Sequence, residues 1–140
     1  MHNTFLGFDH VDMRVRSLAL VESFYDALMP LLGLPRKRYV LIQNGSWLDV
    51  ERGAAHNAVE YMETSESGER SRFFGVIEDD RTPQTMTRVA FRRAAPAGYA
   101  AWADILTTAG ARNVEMSADM SFYPAVFFED PAGTKLEICG

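Results

Sequence analysis

Cysteine is almost absent from the chain, because only Cys139 occurs among 140 residues. No intrachain disulfide can form, and a reducing, cytoplasmic compartment is expected. No stretch approaches the roughly 20 consecutive apolar residues that cross a bilayer as a helix. The first residues, MHNTFLGF, lack the basic segment and apolar run of a secretory signal. The sequence therefore predicts a cytoplasmic protein with no membrane partner.

Basic residues are also few, with 14 lysines and arginines against 19 acidic residues and a formal net charge of −5. Phosphate backbones are bound by clustered lysine and arginine, so nucleic acid is excluded as the main partner. Hydrophobic residues make up 47% and charged residues 24% of the chain, a balance typical of globular proteins. The length suits one compact domain or two half-size modules with a common core.

Hydrophobic periodicity divides the first half into a strand, a helix and further strands. The alternating stretch FDHVDMRVR predicts a strand, and the apolar stripe of SLALVESFYDALM predicts a helix after it. Three more strands are predicted at 37–43, 57–63 and 72–79. The intervening stretch WLDVERGAAH has no clear period, so it is compatible with a strand, a short helix or a loop.

The same order of elements begins again after a polar stretch that contains Pro83. Residues 87–93 alternate as in a strand, and residues 96–109 have helical spacing with Gly110 at the position of a C-cap. Three strands follow, in the segments ARNVEMS, FYPAVFFED and TKLEIC. Each half is therefore predicted to contain a strand, a helix and three strands.

Spacing within the two halves indicates an internal duplication. His10 precedes Phe24 by 14 positions, and Arg88 precedes Trp102 by the same number. The two halves can be overlaid on these pairs, which makes His10 and Arg88 equivalent positions on the first strand of each half.

Three segments of the chain resemble the vicinal oxygen chelate superfamily, which includes glyoxalases, extradiol dioxygenases and bleomycin-binding proteins. FDHVDMRV resembles its opening strand, ESFYDALMPLLGL its helix, and FFEDPAGTKLEI its closing hairpin. The resemblance implies an α+β fold of two tandem βαβββ modules, whose mixed sheets form an open curved cup. The modules would be 1–80 and 87–140, joined by a linker at 81–86 within one compact domain.

The resemblance also implies a divalent metal ion, Zn, Ni, Mn or Fe, held by the first and last strands of each module. His10 and Glu137 match two of the ligand positions. Arg88 occupies a third, but a guanidinium has only donors and cannot bind a cation. The last strand of the first module offers only Glu78, near its end. The site is therefore incomplete unless a loop residue contributes; the candidates are His56, Glu60 and Glu63.

Two functions follow from the resemblance, and both involve a small-molecule ligand. One is a metal-dependent lyase, isomerase or dioxygenase in which Glu137 is catalytic. The other is a metal-free binding protein of the antibiotic-resistance type, in which Arg88 replaces a metal ligand and pairs with Glu137 when no ligand is bound. Substrate-binding residues are predicted at Arg88, Tyr123, Phe127 and Phe74. A homodimer is compatible with either function.

Ordinary structural roles remain open for each of these residues. His10 could be a hydrogen-bonded polar residue without metal, Glu137 could face solvent, and Arg88 could be an exposed strand residue. Any one of the aromatic residues could belong to the hydrophobic core.

Overall fold

The computed structural model describes residues 4–65, 71–83, 87–94 and 98–140. These residues form an α+β fold with two mixed sheets of five and four strands. The elements before the second half are β1 (His10–Val15), α1 (Leu18–Leu28), a 3₁₀ turn (Met29–Leu32), β2 (Arg36–Gln43), β3 (Ser46–Val50), β4 (Ala58–Met62) and β5 (Phe73–Glu78). The elements of the second half are β6 (Arg88–Arg92), α2 (Tyr99–Ala109), β7 (Arg112–Met116), β8 (Ala125–Glu129) and β9 (Lys135–Cys139).

The two sheets have the same strand order once one strand is set aside. The first sheet runs β1-β5-β4-β2-β3, and the second runs β6-β9-β8-β7. In each sheet the first and last strands are parallel neighbours, and their registers correspond: His10 pairs with Phe73, and Arg88 pairs with Lys135. The predicted repeat is therefore present in the sheet topology, with His10 and Arg88 at equivalent places.

The extra strand β3 occupies part of the stretch that the sequence left undecided. It forms a hairpin with β2 across Asn44 and Gly45, which both have positive φ. Two consecutive residues with positive φ are typical of the tight turns that match the twist of paired strands. The first module therefore has four strands after its helix, where three were predicted.

Contacts divide the chain into two units, each with its own sheet. The first unit contains the residues up to Leu18 together with Met29–Asp80, and the second contains Ala19–Leu28 and Arg81–Gly140. Most of α1 thus belongs to the unit of the second sheet. Part of the predicted linker, residues 84–86, lies outside the described residues.

The core of the second unit is formed on one face of its sheet, where α1 packs. The ring of Phe24 lies 6.4 Å from that of Phe128 on β8, and both side chains are buried. Next to it, the hydroxyl of Tyr25 donates a hydrogen bond of 2.7 Å to the fully buried carboxylate of Asp130. The C-cap predicted at Gly110 is confirmed, because this residue is left-handed with φ 104° and ends α2.

In the first unit, Met13 and Val15 are buried on one face of β1, while His10, Asp12 and Arg14 are exposed on the other. Val11, which shares the face of Met13 and Val15, is 38% exposed. This alternation confirms the predicted parity of β1. No helix in the described part of the chain is long and apolar enough to cross a membrane.

Candidate functional site

In each unit, an acidic residue and a small residue face each other across the two parallel strands. In the first sheet, Asp12 of β1 pairs with Gly75 of β5. In the second sheet, the equivalent pair is Ala90 of β6 with Glu137 of β9. The position in the first unit that corresponds to Glu137 is therefore Gly75, so β5 provides no side chain there.

The imidazole of His10 is held by neighbours on the exposed face of the first sheet. Its Nδ1 lies 2.7 Å from Oδ2 of Asp9, and a carboxylate only accepts, so Nδ1 carries the proton. The ring of Phe73 stacks on the imidazole at 4.4 Å and almost parallel to it. In the neutral ring, the lone pair then lies on Nε2, which is 3.6 Å from Oδ2 of Asp12.

The carboxylate of Asp12 lies directly over Gly75. A Cβ atom built at residue 75 would collide with Oδ1 of Asp12. The absence of a side chain at Gly75 is therefore what makes room for this carboxylate, at the place where the second unit has Glu137.

Glu137 is 5% exposed, and its one hydrogen-bond partner among the described residues is Tyr123, whose hydroxyl donates to Oε1 at 2.5 Å. This hydrogen bond, followed by a contact with Cys139, raises the pKa of Tyr123 to about 12. The hydroxyl therefore remains protonated across the physiological range and keeps donating to the carboxylate. Tyr123 itself is part exposed, which places Glu137 beneath a residue that solvent and ligands can reach.

Three carboxylates are buried in the described part of the chain, and their partners differ. Glu60 accepts a hydrogen bond of 2.9 Å from Arg38, which neutralises its charge. Asp130 accepts from the Tyr25 hydroxyl and from two backbone N–H groups. Within the described ranges, Glu137 has only the Tyr123 hydroxyl, although an ionised carboxylate has about four accepting positions. Of the three, it is the carboxylate for which the described residues provide neither a cation nor a second hydrogen-bond donor.

A short loop before β8 holds Tyr123 in place. Oδ1 of Asp119 accepts hydrogen bonds from the backbone and hydroxyl of Ser121 and from the backbone of Phe122. These bonds, that of the Ser121 hydroxyl first, lower the pKa of Asp119. The backbone carbonyl of Asp119 accepts the N–H of Tyr123 at 2.9 Å. Asp119 thus organises the turn that places Tyr123 over Glu137.

Arg88 lies on the same face of the second sheet as Glu137, but its guanidinium stacks on the ring of Phe127 at 4.8 Å. The expected ion pair between Arg88 and Glu137 is not formed within the described residues. A cavity of about 280 Å³ opens beside this stack. It is lined by Arg88, Asn113, Glu115, Phe127, Phe128, Glu129 and Lys135.

Two glutamates that were candidate ligands have other partners. Glu78 accepts the backbone N–H of Leu18 at 2.9 Å, so it caps the first turn of α1. Glu63 accepts the backbone N–H of Arg72 at 3.0 Å. Each carboxylate has a local structural role that accounts for its position.

Two other candidate residues, Phe74 and His56, contact parts of the first unit away from His10. Phe74 pairs in register with Val11 and is buried on the face of β5 opposite to the His10 side, so it belongs to the core and not to the His10 face. His56 lies edge-on to the ring of Tyr39, with its Nδ1 2.8 Å from the carbonyl of Ala54.

A divalent ion needs several nitrogen or oxygen donors close together. Among the described residues, no group of three or more His, Cys, Asp or Glu side chains could hold a metal ion by itself. In the first unit, however, His10 and Asp12 present an imidazole nitrogen and a carboxylate oxygen 3.6 Å apart. A carboxylate on the other ring nitrogen, here from Asp9, is the usual outer partner of a metal-binding histidine. This donor pair fits a divalent ion whose remaining positions are filled by water or ligand.

Comparison with known proteins gives matches among solved structures, while no family model and no curated protein matches the chain. A glyoxalase/bleomycin resistance protein from Albidiferax ferrireducens has 20% identity and a TM-score of 0.59, covering 94% of this chain and 97% of its own. A glyoxalase family protein from Enterococcus faecalis has 18% identity and a TM-score of 0.55, covering 97% and 98%. The fosfomycin resistance protein FosX from Listeria monocytogenes has 10% identity and a TM-score of 0.58, covering 97% and 93%.

These likenesses extend over nearly the whole length of both partners. The chain therefore has the glyoxalase/bleomycin resistance fold, which is the fold of the vicinal oxygen chelate superfamily.

Proposed function

We propose that this protein is a small-molecule enzyme of the glyoxalase type, a lyase or isomerase in which Glu137 takes a proton from a carbon next to a substrate carbonyl. The observation that carries the proposal is the state of Glu137, a buried carboxylate to which the described part of the chain gives one hydroxyl partner and no cation. A general base needs a free oxygen that a substrate can approach. Both oxygens of Asp130 already accept hydrogen bonds, and the charge of Glu60 is paired with the Arg38 guanidinium.

Tyr123 orients the carboxylate in this proposal. Its hydroxyl holds Oε1 of Glu137 and leaves Oε2 for the substrate proton. Because the pKa of Tyr123 is about 12, the tyrosine stays a donor while Glu137 is ionised.

The single cysteine supports a reducing, cytoplasmic location as part of the same proposal.

A divalent ion, Zn, Ni, Mn or Fe, completes the proposal as cofactor, and His10 is its proposed donor in the first unit. When bound, such an ion supplies a positive charge that stabilises a developing negative oxygen. The proton itself is handled by Glu137.

The test is exchange of the acidic C–H proton of a carbonyl compound with solvent. The protein loaded with Ni²⁺ is incubated in D₂O with the hemithioacetal of methylglyoxal and a thiol, and with a panel of 1,2-dicarbonyl and 2-oxo compounds. Proton NMR follows the loss of the C–H signal. We expect exchange with the wild type and a loss of at least about 100-fold with Glu137→Gln, since general acid–base catalysis contributes about 10² to 10⁴.

Glu51→Gln is the matched control, because Glu51 is an exposed glutamate in a loop of the first unit. It should exchange at the wild-type rate. Equal exchange by Glu137→Gln and the wild type would show that Glu137 is not the base.

A second function is favoured by Arg88, which stacks on Phe127 at a position where a metal ligand is implied. A guanidinium on an aromatic ring is a suitable platform for a planar or anionic ligand. In this alternative the protein binds a small molecule without metal. Metal analysis of protein purified without chelator, together with thermal shifts in Ni²⁺, Zn²⁺, Mn²⁺ and Fe²⁺, separates the two. A large shift with metal supports the enzyme, and none supports the binding protein.

A further inference from the structure

The two units have their carboxylate on different strands of the parallel pair. The second unit has the acid on its last strand, at Glu137, and the small residue on its first, at Ala90. The first unit has the reverse, with Asp12 on its first strand and Gly75 on its last. The registers of the two parallel pairs correspond, so Asp12 and Glu137 lie at matching places over their sheets.

The position of the Asp12 side chain in the structure is a second reason to compare it with Glu137. Its carboxylate occupies the space over Gly75 that a side chain on β5 would otherwise fill. It also lies within 3.6 Å of the Nε2 atom of His10, a distance too long for a hydrogen bond. The two donor atoms therefore lie close together on the same face of β1 without a hydrogen bond between them.

We propose that Asp12 replaces the carboxylate missing from β5, and that Asp12 and His10 together bind a divalent transition-metal cation on the first unit. The proposal rests on the proposed function only in taking such an ion as the cofactor. It adds a ligand, Asp12, and an orienting residue, Asp9.

Surrounding charges favour a cation at this point. Asp9 and Asp12 both flank the imidazole, at 2.7 and 3.6 Å from its two nitrogens. The nearest basic residue on the same strand, Arg14, has its guanidinium 3.8 Å from Asp79. One imidazole nitrogen and one carboxylate oxygen are donors that Zn²⁺, Ni²⁺ and Mn²⁺ accept.

Isothermal titration with Ni²⁺ alone tests the proposal on the full chain. We expect the wild type to bind Ni²⁺, and Asp12→Asn to bind it roughly 100-fold more weakly. Asp9→Asn should lose about tenfold, since partners behind a ligand contribute about 10- to 100-fold to metal affinity. Asp104→Asn, which changes an exposed carboxylate on α2, is the control and should bind as the wild type does. Wild-type affinity in Asp12→Asn, or no Ni²⁺ binding by the wild type, would overturn the proposal.

A rescue variant gives a second test. Asp12→Ala removes the carboxylate and should lose Ni²⁺ binding. Adding Gly75→Glu to it restores an acid on the last strand with a small residue opposite, which is the arrangement of Glu137 and Ala90. Affinity should return to within about tenfold of the wild type. A folded double variant, checked by circular dichroism, that still fails to bind would contradict the replacement.

Broadening of the His10 imidazole resonances by Mn²⁺ provides a readout that needs no rescue. The signals should broaden in the wild type and stay sharp in Asp12→Asn at the same Mn²⁺ concentration. Broadening that is equal in both proteins would refute a role for Asp12. These results are distinct from the test of the proposed function, which depends on proton exchange by Glu137→Gln and uses different variants.

Discussion

Replacing Tyr25 by phenylalanine removes one hydroxyl from the core of the second unit. That hydroxyl donates to Oδ2 of Asp130, a carboxylate with no exposure to solvent. The other oxygen, Oδ1, accepts the backbone N–H groups of Ala132 and Thr134 at 2.8 and 2.9 Å. Asp130 therefore fixes the turn that leads into β9, the strand that contains Glu137.

The expected loss follows from the charge and burial of this oxygen. A hydrogen bond to a charged group contributes about 1.5 to 3 kcal/mol, and a buried acceptor left without a partner is costly. The phenylalanine ring fills the same space, so no cavity term is added. We expect Tyr25→Phe to lower the free energy of unfolding by about 2 to 3 kcal/mol. At about 3 °C per kcal/mol for a chain of this size, the Tm should fall by roughly 6 to 9 °C.

Urea unfolding at pH 7, followed by circular dichroism, measures this loss as a shift of the midpoint at constant slope. Tyr39→Phe is the matched control, because Tyr39 is only part buried and its ring contacts lie on the first unit. A loss below about 0.5 kcal/mol, or one equal to the control, would mean that Asp130 does not depend on the Tyr25 hydroxyl.

Three further predictions concern side chains that form hydrogen bonds. The raised pKa of Tyr123 adds stability that is complete below about pH 10 and lost as pH rises towards about 12, so stability curves of the wild type and Tyr123→Phe should converge over that interval. The lowered pKa of Asp119 adds stability above its ordinary value of 3.8, so the deficit of Asp119→Ala in urea should shrink as pH falls through the carboxyl range. Glu78→Ala removes the acceptor for the Leu18 N–H and should cost about 1 kcal/mol at the N-terminus of α1, measured by the urea midpoint.

Period and spacing in the sequence were sufficient to predict the repeated strands and helices, because each half has one buried face that shows as a regular pattern. The strand β3 was not predicted, because it has no such pattern. Both Trp47 and Leu48 on it are exposed, so neither face gives an alternation. Its pairing with β2 is set by the Asn44–Gly45 turn and not by a pattern within residues 47–56.

Partners distant in sequence were not predictable in the same way. The sequence shows Glu78 as a spare carboxylate, but its role depends on an N–H group 60 positions earlier, at Leu18. Tyr25 and Asp130 are 105 positions apart, and no local pattern connects them. The assignment of α1 to the unit of the second sheet also depends on such distant contacts.

The sequence alone does not single out Asp12, because the family pattern has its acid on the last strand of each module. A template that expects an acid on the last strand finds only Gly75 in the first unit. The signal was nevertheless in the sequence, since Asp12 follows His10 by two and therefore shares its face. Only the register of β1 with β5 shows that this aspartate lies over the glycine.

Both acid–small pairs have a common steric reason. A carboxylate can lie over two parallel strands only if the residue opposite it on the neighbouring strand is short. Gly75 provides that space for Asp12, and the residue in register with Glu137, Ala90, is also short. Either strand of the parallel pair can therefore supply the acid without a change in the sheet. The two units can thus have a carboxylate at the equivalent place although the residues at the two paired positions differ between them. His10 and Arg88 are also at equivalent positions, but an imidazole can bind a cation whereas a guanidinium repels it. The two units should therefore differ in cation binding while each keeps its carboxylate.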